Sequence, residues 1–177
     1  SGSMWGEKIA EAKKALIDNA ANLVSPGGPV EVGVVAFGTN AEVICPLSSD
    51  IDQIRAKVDA LSPYGSTAMG DAIQAAKDLL GQSGSGVPGE IVLVSDGMPN
   101  SADDALIAAR EAADANIRFS SLGIGSGDID ESFLKDISPR YFIIDDAAQI
   151  GDKIALLTQS SQASTAQSNI TWLGGKK

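Results

Sequence analysis

Ile91-Val92-Leu93-Val94 is a run of four apolar residues that ends in Ser95-Asp96-Gly97. A short strand with no polar alternation is the kind buried on both faces, as in parallel sheets covered by helices on either side. Downstream of it, residues 102–115 are alanine-rich and read as a helix, and residues 117–124 as the next strand. Asp130 caps a short helix, 141–144 is another strand, and 147–158 a last helix. Upstream, a helix is expected from Thr67 to about Leu80, followed by a Gly/Ser-rich surface loop over 81–89. Ile51, Ile54, Val58 and Leu61 mark a further helix capped by Ser49 or Asp50. The β-branched run 30–37, the turn Gly38-Thr39-Asn40 and the strand 41–45 make a hairpin. Ile9, Ala12, Leu16, Ala20 and Leu23 put one apolar stripe on a helix spanning 7–24.

Strands separated by helices imply parallel crossover units. The expected fold is α/β: a three-layer α/β/α sandwich whose doubly wound, mostly parallel sheet carries one antiparallel edge hairpin. With 177 residues the chain is the size of a single domain. That domain is expected over 1–158, and 159–177 is read as a polar Ser/Gln/Ala-rich tail with a short apolar patch, Ile170-Thr171-Trp172-Leu173.

Composition removes several classes of function. A net charge of −10 argues against nucleic-acid partners. No apolar run approaches the ~20 residues of a membrane span. The absence of His excludes His-dependent triads and His metal sites, and a hydrolase built on Ser3 or Asp96 has neither a His base nor an evident Lys–Ser motif. Gly123-x-Gly125-x-Gly127 lacks the Gly three residues further on that a dinucleotide loop needs. Cys45 cannot form an internal disulfide and reads as a buried, inert thiol, in keeping with a reducing compartment such as the cytoplasm. The expectation is a binding module without catalysis.

In open α/β sheets ligands collect at the carboxyl ends of the strands. Three segments assigned there are rich in hydroxyls: Ser1-Gly2-Ser3-Met4, Gly65-Ser66-Thr67 and Ser95-Asp96-Gly97. Hydroxyls and a carboxylate are hard oxygen donors, suited to Mg²⁺, Mn²⁺ or Ca²⁺ rather than zinc. The blander alternatives are that Thr67 and Asp96 merely cap the helices that follow them, or that Ser1-Gly2-Ser3 was appended ahead of Met4.

These segments, with Val32-Gly33-Val34-Val35-Ala36-Phe37-Gly38 and Leu122-Gly123-Ile124-Gly125, resemble the von Willebrand factor A (integrin I-like) family in order and spacing from Ser1 to about Leu157. The metal-ion-dependent adhesion site of that family, abbreviated MIDAS, combines Asp-x-Ser-x-Ser with a distant Thr and a distant Asp. The resemblance implies that Ser1, Ser3 and Thr67 ligate a Mg²⁺-class ion through hydroxyls and that Asp96 binds it through water. It also implies that the open coordination position takes a Glu or Asp of a partner protein. Many bacterial members work beside AAA+ ATPases or in surface adhesion. One departure stands out: the family's leading Asp, and the central strand before it, would precede Ser1. The central position is therefore expected to be filled by upstream residues, by a strand from another polypeptide, as in a structural or assembly subunit, or by the chain's own tail.

Overall fold

The computed structural model describes residues 6–62, 65–83, 89–125, 130–162 and 168–174, the backbone alone for 159–162 and 168–174. Helix α1 (Glu7–Leu23) leads into the hairpin of β1 (Val32–Phe37) and β2 (Ala41–Ser48). Helices α2 (Ile51–Asp59) and α3 (Met69–Gly81) follow, then β3 (Gly89–Ser95), α4 (Ala102–Asp114) and β4 (Arg118–Ile124). The chain continues through α5 (Glu131–Ile137), β5 (Arg140–Ile144), a 3₁₀ turn (Ala147–Gln149), α6 (Ile150–Gln162) and β6 (Ser168–Gly174). The six strands lie in the order β2-β1-β6-β3-β4-β5, all parallel except β2, which pairs antiparallel with β1 at one edge. This is the expected doubly wound sheet with an edge hairpin.

Every residue of β1 and β3 is buried, because successive side chains enter two different cores. Val92 and Val94 of β3 join Val34 and Ala36 of β1, Leu122 and Ile124 of β4, and the inner faces of α1, α2 and α6. Ile91 and Leu93 join Val35, Phe37 and Phe119 against α3, α4 and α5. The alanine stripe of α4, Ala105, Ala108, Ala109 and Ala112, lets this helix approach α3 closely. A β-carbon at Gly70 would lie only 3.1 Å from the Asp104 backbone. Of the two cap candidates for α2 it is Asp50 that serves, accepting from the amides of Asp52 and Gln53, and Asp130 caps α5 as expected.

The central position belongs to β6. Its backbone pairs in parallel with β1, from Val32↔Asn169 to Ala36↔Leu173, and with β3, from Gly89↔Ser168 to Ser95↔Gly174. Of the three occupants weighed from the sequence, the chain's own tail is the one found, so the segment read as lying outside the domain supplies a strand of the sheet. The last helix is also longer than the expected 147–158, with a 3₁₀ turn opening it. Among the described residues no helix is long and apolar enough to cross a membrane.

Cys45 is fully buried on β2, and burial pushes its thiol pKa up against a smaller opposing pull from Lys57. A disulfide-exchange reagent such as DTNB should react with the native protein at least ~100-fold more slowly than with denatured chain, because access requires local opening that costs about 3 kcal/mol or more. Equal rates in the two states would contradict this burial.

Candidate metal and partner-binding pole

The carboxyl ends of β1, β3 and β4 lie at one pole of the sheet, and three of the described loops there bear on the site. The first is the hairpin turn after Phe37, whose Gly38 amide donates to the Asn40 carbonyl at 2.9 Å. The second is the Thr loop ahead of α3. It docks on the turn when the Ala68 amide donates to the Gly38 carbonyl at 2.9 Å. Gly65, at φ +65°, fits against Thr39 so closely that a β-carbon would come within 2.0 Å of the Thr39 hydroxyl. No side chain is compatible with both that backbone conformation and that contact.

The third loop runs from Ser95 to Asn100 and carries Asp96. Ser95 is buried; its hydroxyl donates to the Gly97 carbonyl (3.0 Å) and accepts from the Gly97 amide (3.3 Å), which fixes the turn around Asp96. Asn100 clips this loop to the Thr loop. Its amide donates to the Thr67 carbonyl (2.9 Å), and its side-chain oxygen accepts from the Thr67 amide (3.1 Å) and from the Ser66 hydroxyl. The two loops are thereby locked to one another through Asn100, the Ser66 hydroxyl and the Thr67 backbone.

Thr67 and Asp96 are each only 2% exposed, which is unusual for a threonine in a loop and more so for a carboxylate. Helix capping does not account for them. Helix α3 starts at Met69 with Ala68 in the cap position, and α4 is capped by Ser101, whose hydroxyl accepts from the Asp104 amide. A buried carboxylate needs a counter-charge, and Lys8 in the first turn of α1 brings its ammonium to 3.6 Å from Asp96 Oδ2. A cleft of about 140 Å³ opens beside Thr67, between Thr39, Asn100 and Ser101, with Asp71 and Asp104 also lining it.

Of the four residues expected to hold a metal, Ser1 and Ser3 lie outside the described residues, as does Trp5. Thr67 and Asp96 lie on the two clipped loops. The chemistry of this pair, one hydroxyl and one carboxylate shielded from water, fits a hard divalent ion. Among the described residues no three carboxylate or thiol groups cluster as a metal site, and a hydroxyl-rich donor set of this kind does not form such a cluster. Lys8 and Asn100 went unnoticed in the sequence reading. For Lys8 a signal existed, since it stands four residues before Ala12 on the stripe that α1 buries. Asn100 gave none, because its partner is 33 residues away.

A family model described as the von Willebrand factor type A domain matches residues 1–165, a span that ends short of β6. A UPF0353 protein from Mycolicibacterium paratuberculosis is 30% identical, the match covering 67% of this chain and 38% of that protein. The chain thus spans well under half of that relative's length. Among solved structures, the vWF domain of the type V pili tip protein Mfa5 from Porphyromonas gingivalis superposes with a TM-score of 0.80 at 13% identity, covering 92% of each chain. Proximal thread matrix protein 1 from the mussel byssus, solved with zinc in its MIDAS motif, superposes with a TM-score of 0.71 at 22% identity over 84% of this chain and 40% of its own. These likenesses concern the fold.

Proposed function

The chain belongs to the von Willebrand factor type A domain family, and on that premise we propose that its loop pole is a metal-dependent protein-binding site that captures an acidic residue of a partner and performs no catalysis. Domains of this family are in general interaction modules rather than enzymes. The observation that carries the reading is the pairing of a buried hydroxyl, Thr67, with a buried carboxylate, Asp96, on two loops clipped by Asn100. Thr67 would hold a Mg²⁺-class ion directly and Asp96 through water, with Ser1 and Ser3 contributing hydroxyls. When bound, such an ion supplies a Lewis-acid position for a Glu or Asp side chain. The zinc in the MIDAS motif of the byssus protein supports a metal at this pole of the fold.

The rest is the work of the chain's own residues. Asn100 ties the Thr67 loop to the loop that carries Asp96, so little loop freedom is left to lose when a ligand arrives. Hydroxyl donors add no anionic charge of their own to the ion's shell, which helps a protein of net charge −10 accept an acid there. A local charge prevails over diffuse repulsion that is screened within ~8 Å at physiological salt. The alternative reading, a structural subunit completed by a strand from another polypeptide, has less behind it, because β6 occupies the central ladder.

Calorimetric titration with Mg²⁺ and with Mn²⁺ should reveal one site, weakened at least ~10–100-fold by Thr67→Ala combined with Asp96→Ala. EDTA and Asp96→Ala should then weaken capture of an acidic partner alike, with little change in melting. Undiminished metal binding in the double variant would remove Thr67 and Asp96 from the site.

A further inference from the structure

A lysine in the first turn of a helix is electrostatically misplaced, since the amino end of the helix already carries partial positive charge. Lys8 sits there nevertheless. Its side chain is 35% exposed, while that of Asp96, 3.6 Å from its ammonium, is completely buried. The ammonium also lies over the end of β4. A β-carbon built on Gly125, which has φ +100°, would be 3.8 Å from Lys8 Nζ. Lys8 therefore reaches across the carboxyl ends of two neighbouring strands to set its charge against a buried carboxylate of the pole. At 3.6 Å this is an ion pair, beyond the range of a good hydrogen bond. The contact acts through charge and leaves the carboxylate's directional lone pairs to other donors.

Given the metal reading of Thr67 and Asp96, we propose that Lys8 is a positioning and charge-tuning residue. Its ammonium offsets the charge of Asp96, so the pole holds a divalent ion less tightly and keeps more positive charge for the partner's carboxylate. In a donor set dominated by neutral hydroxyls, Asp96 supplies much of the anionic pull on a cation, and a fixed positive charge beside it weakens that pull. The same positive charge attracts an incoming carboxylate. Lys8 thus moves two affinities in opposite directions, whereas a residue that merely supports the fold moves them together.

The test uses this chain with Mn²⁺ and acetate as probes. Calorimetry measures Mn²⁺ affinity in the wild type, Lys8→Met and Lys8→Arg, and acetate binding to the Mn²⁺-loaded proteins is followed by loss of water-proton relaxation enhancement. Lys8→Met is expected to bind Mn²⁺ roughly ten-fold more tightly, about 1.4 kcal/mol, and acetate several-fold more weakly. Lys8→Arg should stay near the wild type in both. Should Lys8→Met not fold, Lys8→Gln carries the same comparison. Equal or weaker Mn²⁺ binding without the ammonium overturns the role of Lys8 alone. Failure of every variant and the wild type to bind Mn²⁺ overturns the metal reading, and the role of Lys8 with it.

Discussion

Removing residues 168–177 is expected to abolish cooperative folding. Strand β6 is the only occupant of the gap between β1 and β3 among the described residues, and both of its neighbours are buried along their whole length. Without it, the facing amides and carbonyls of 32–36 and 89–95 lose their ladder partners in an apolar interior. Each buried group left unsatisfied costs about 1–3 kcal/mol. A handful of them exceeds the ~5–15 kcal/mol by which a whole domain is stable. Either the two halves of the sheet collapse together in a new register or the chain aggregates. Far-UV circular dichroism, size-exclusion chromatography and a thermal melt on the truncated protein are the measurements. A monomer with an unchanged, cooperative transition would show that β6 does not hold the sheet together.

The same deletion should also undo the pole. Strand β6 ends with Gly174 level with Ser95, one residue before Asp96. The strand therefore completes the ladder beneath the pole. Metal binding should be lost in the truncated protein together with the fold.

The elements that were legible in the sequence are those whose signal is local. Ile91–Val94 declares a strand buried on both faces, and the stripe Ile9, Ala12, Leu16, Ala20 declares the inner face of α1, because each pattern is a direct image of its packing. The Thr and Asp loops were legible by resemblance, as residue types at a spacing. Strand β6 was not. Ile170-Thr171-Trp172-Leu173 is short and set in polar sequence, and its central place is decided by edges of β1 and β3 that lie far away along the chain. Asn100 was missed for the same reason, since its value lies in a hydrogen bond to a distant loop. Lys8 was passed over because a lysine on a helix is usually solvated, and only the burial of Asp96 gives it a role. Glu90 is the sharpest case: the apolar run was read as starting at Ile91, yet β3 starts at Gly89 and takes a carboxylate into the core.

That carboxylate leads to the second large effect, a loss of stability in Arg140→Ala. Glu90 is fully buried at the amino end of β3, with Arg140 Nη1 of β5 at 3.6 Å from its Oε1 and the Ser120 hydroxyl donating to it at 3.5 Å. The Arg140 guanidinium also donates to the carbonyl of Leu157, tying the edge strand to α6. Arg118 stands level with Glu90 on β4. Taking one member from a buried ion pair leaves the other charged in a poor solvent, which costs about 3–5 kcal/mol. Arg140 keeps a third of its side chain in water, so the lower end applies, and for a chain of this size melting should fall by roughly 6–12 °C. Replacing both partners, Glu90→Leu with Arg140→Ala, should recover part of the loss, because no uncompensated carboxylate then remains. The coupling appears as non-additivity in a double-mutant cycle. The pair lies at the amino end of β3, six residues or roughly 20 Å from Asp96, so metal affinity at the pole should not change in any of these variants. A decrease in melting below 2 °C for Arg140→Ala, or strictly additive losses, would mean that Glu90 is held by other neighbours. A parallel loss of metal affinity would mean that the two poles of the sheet are coupled.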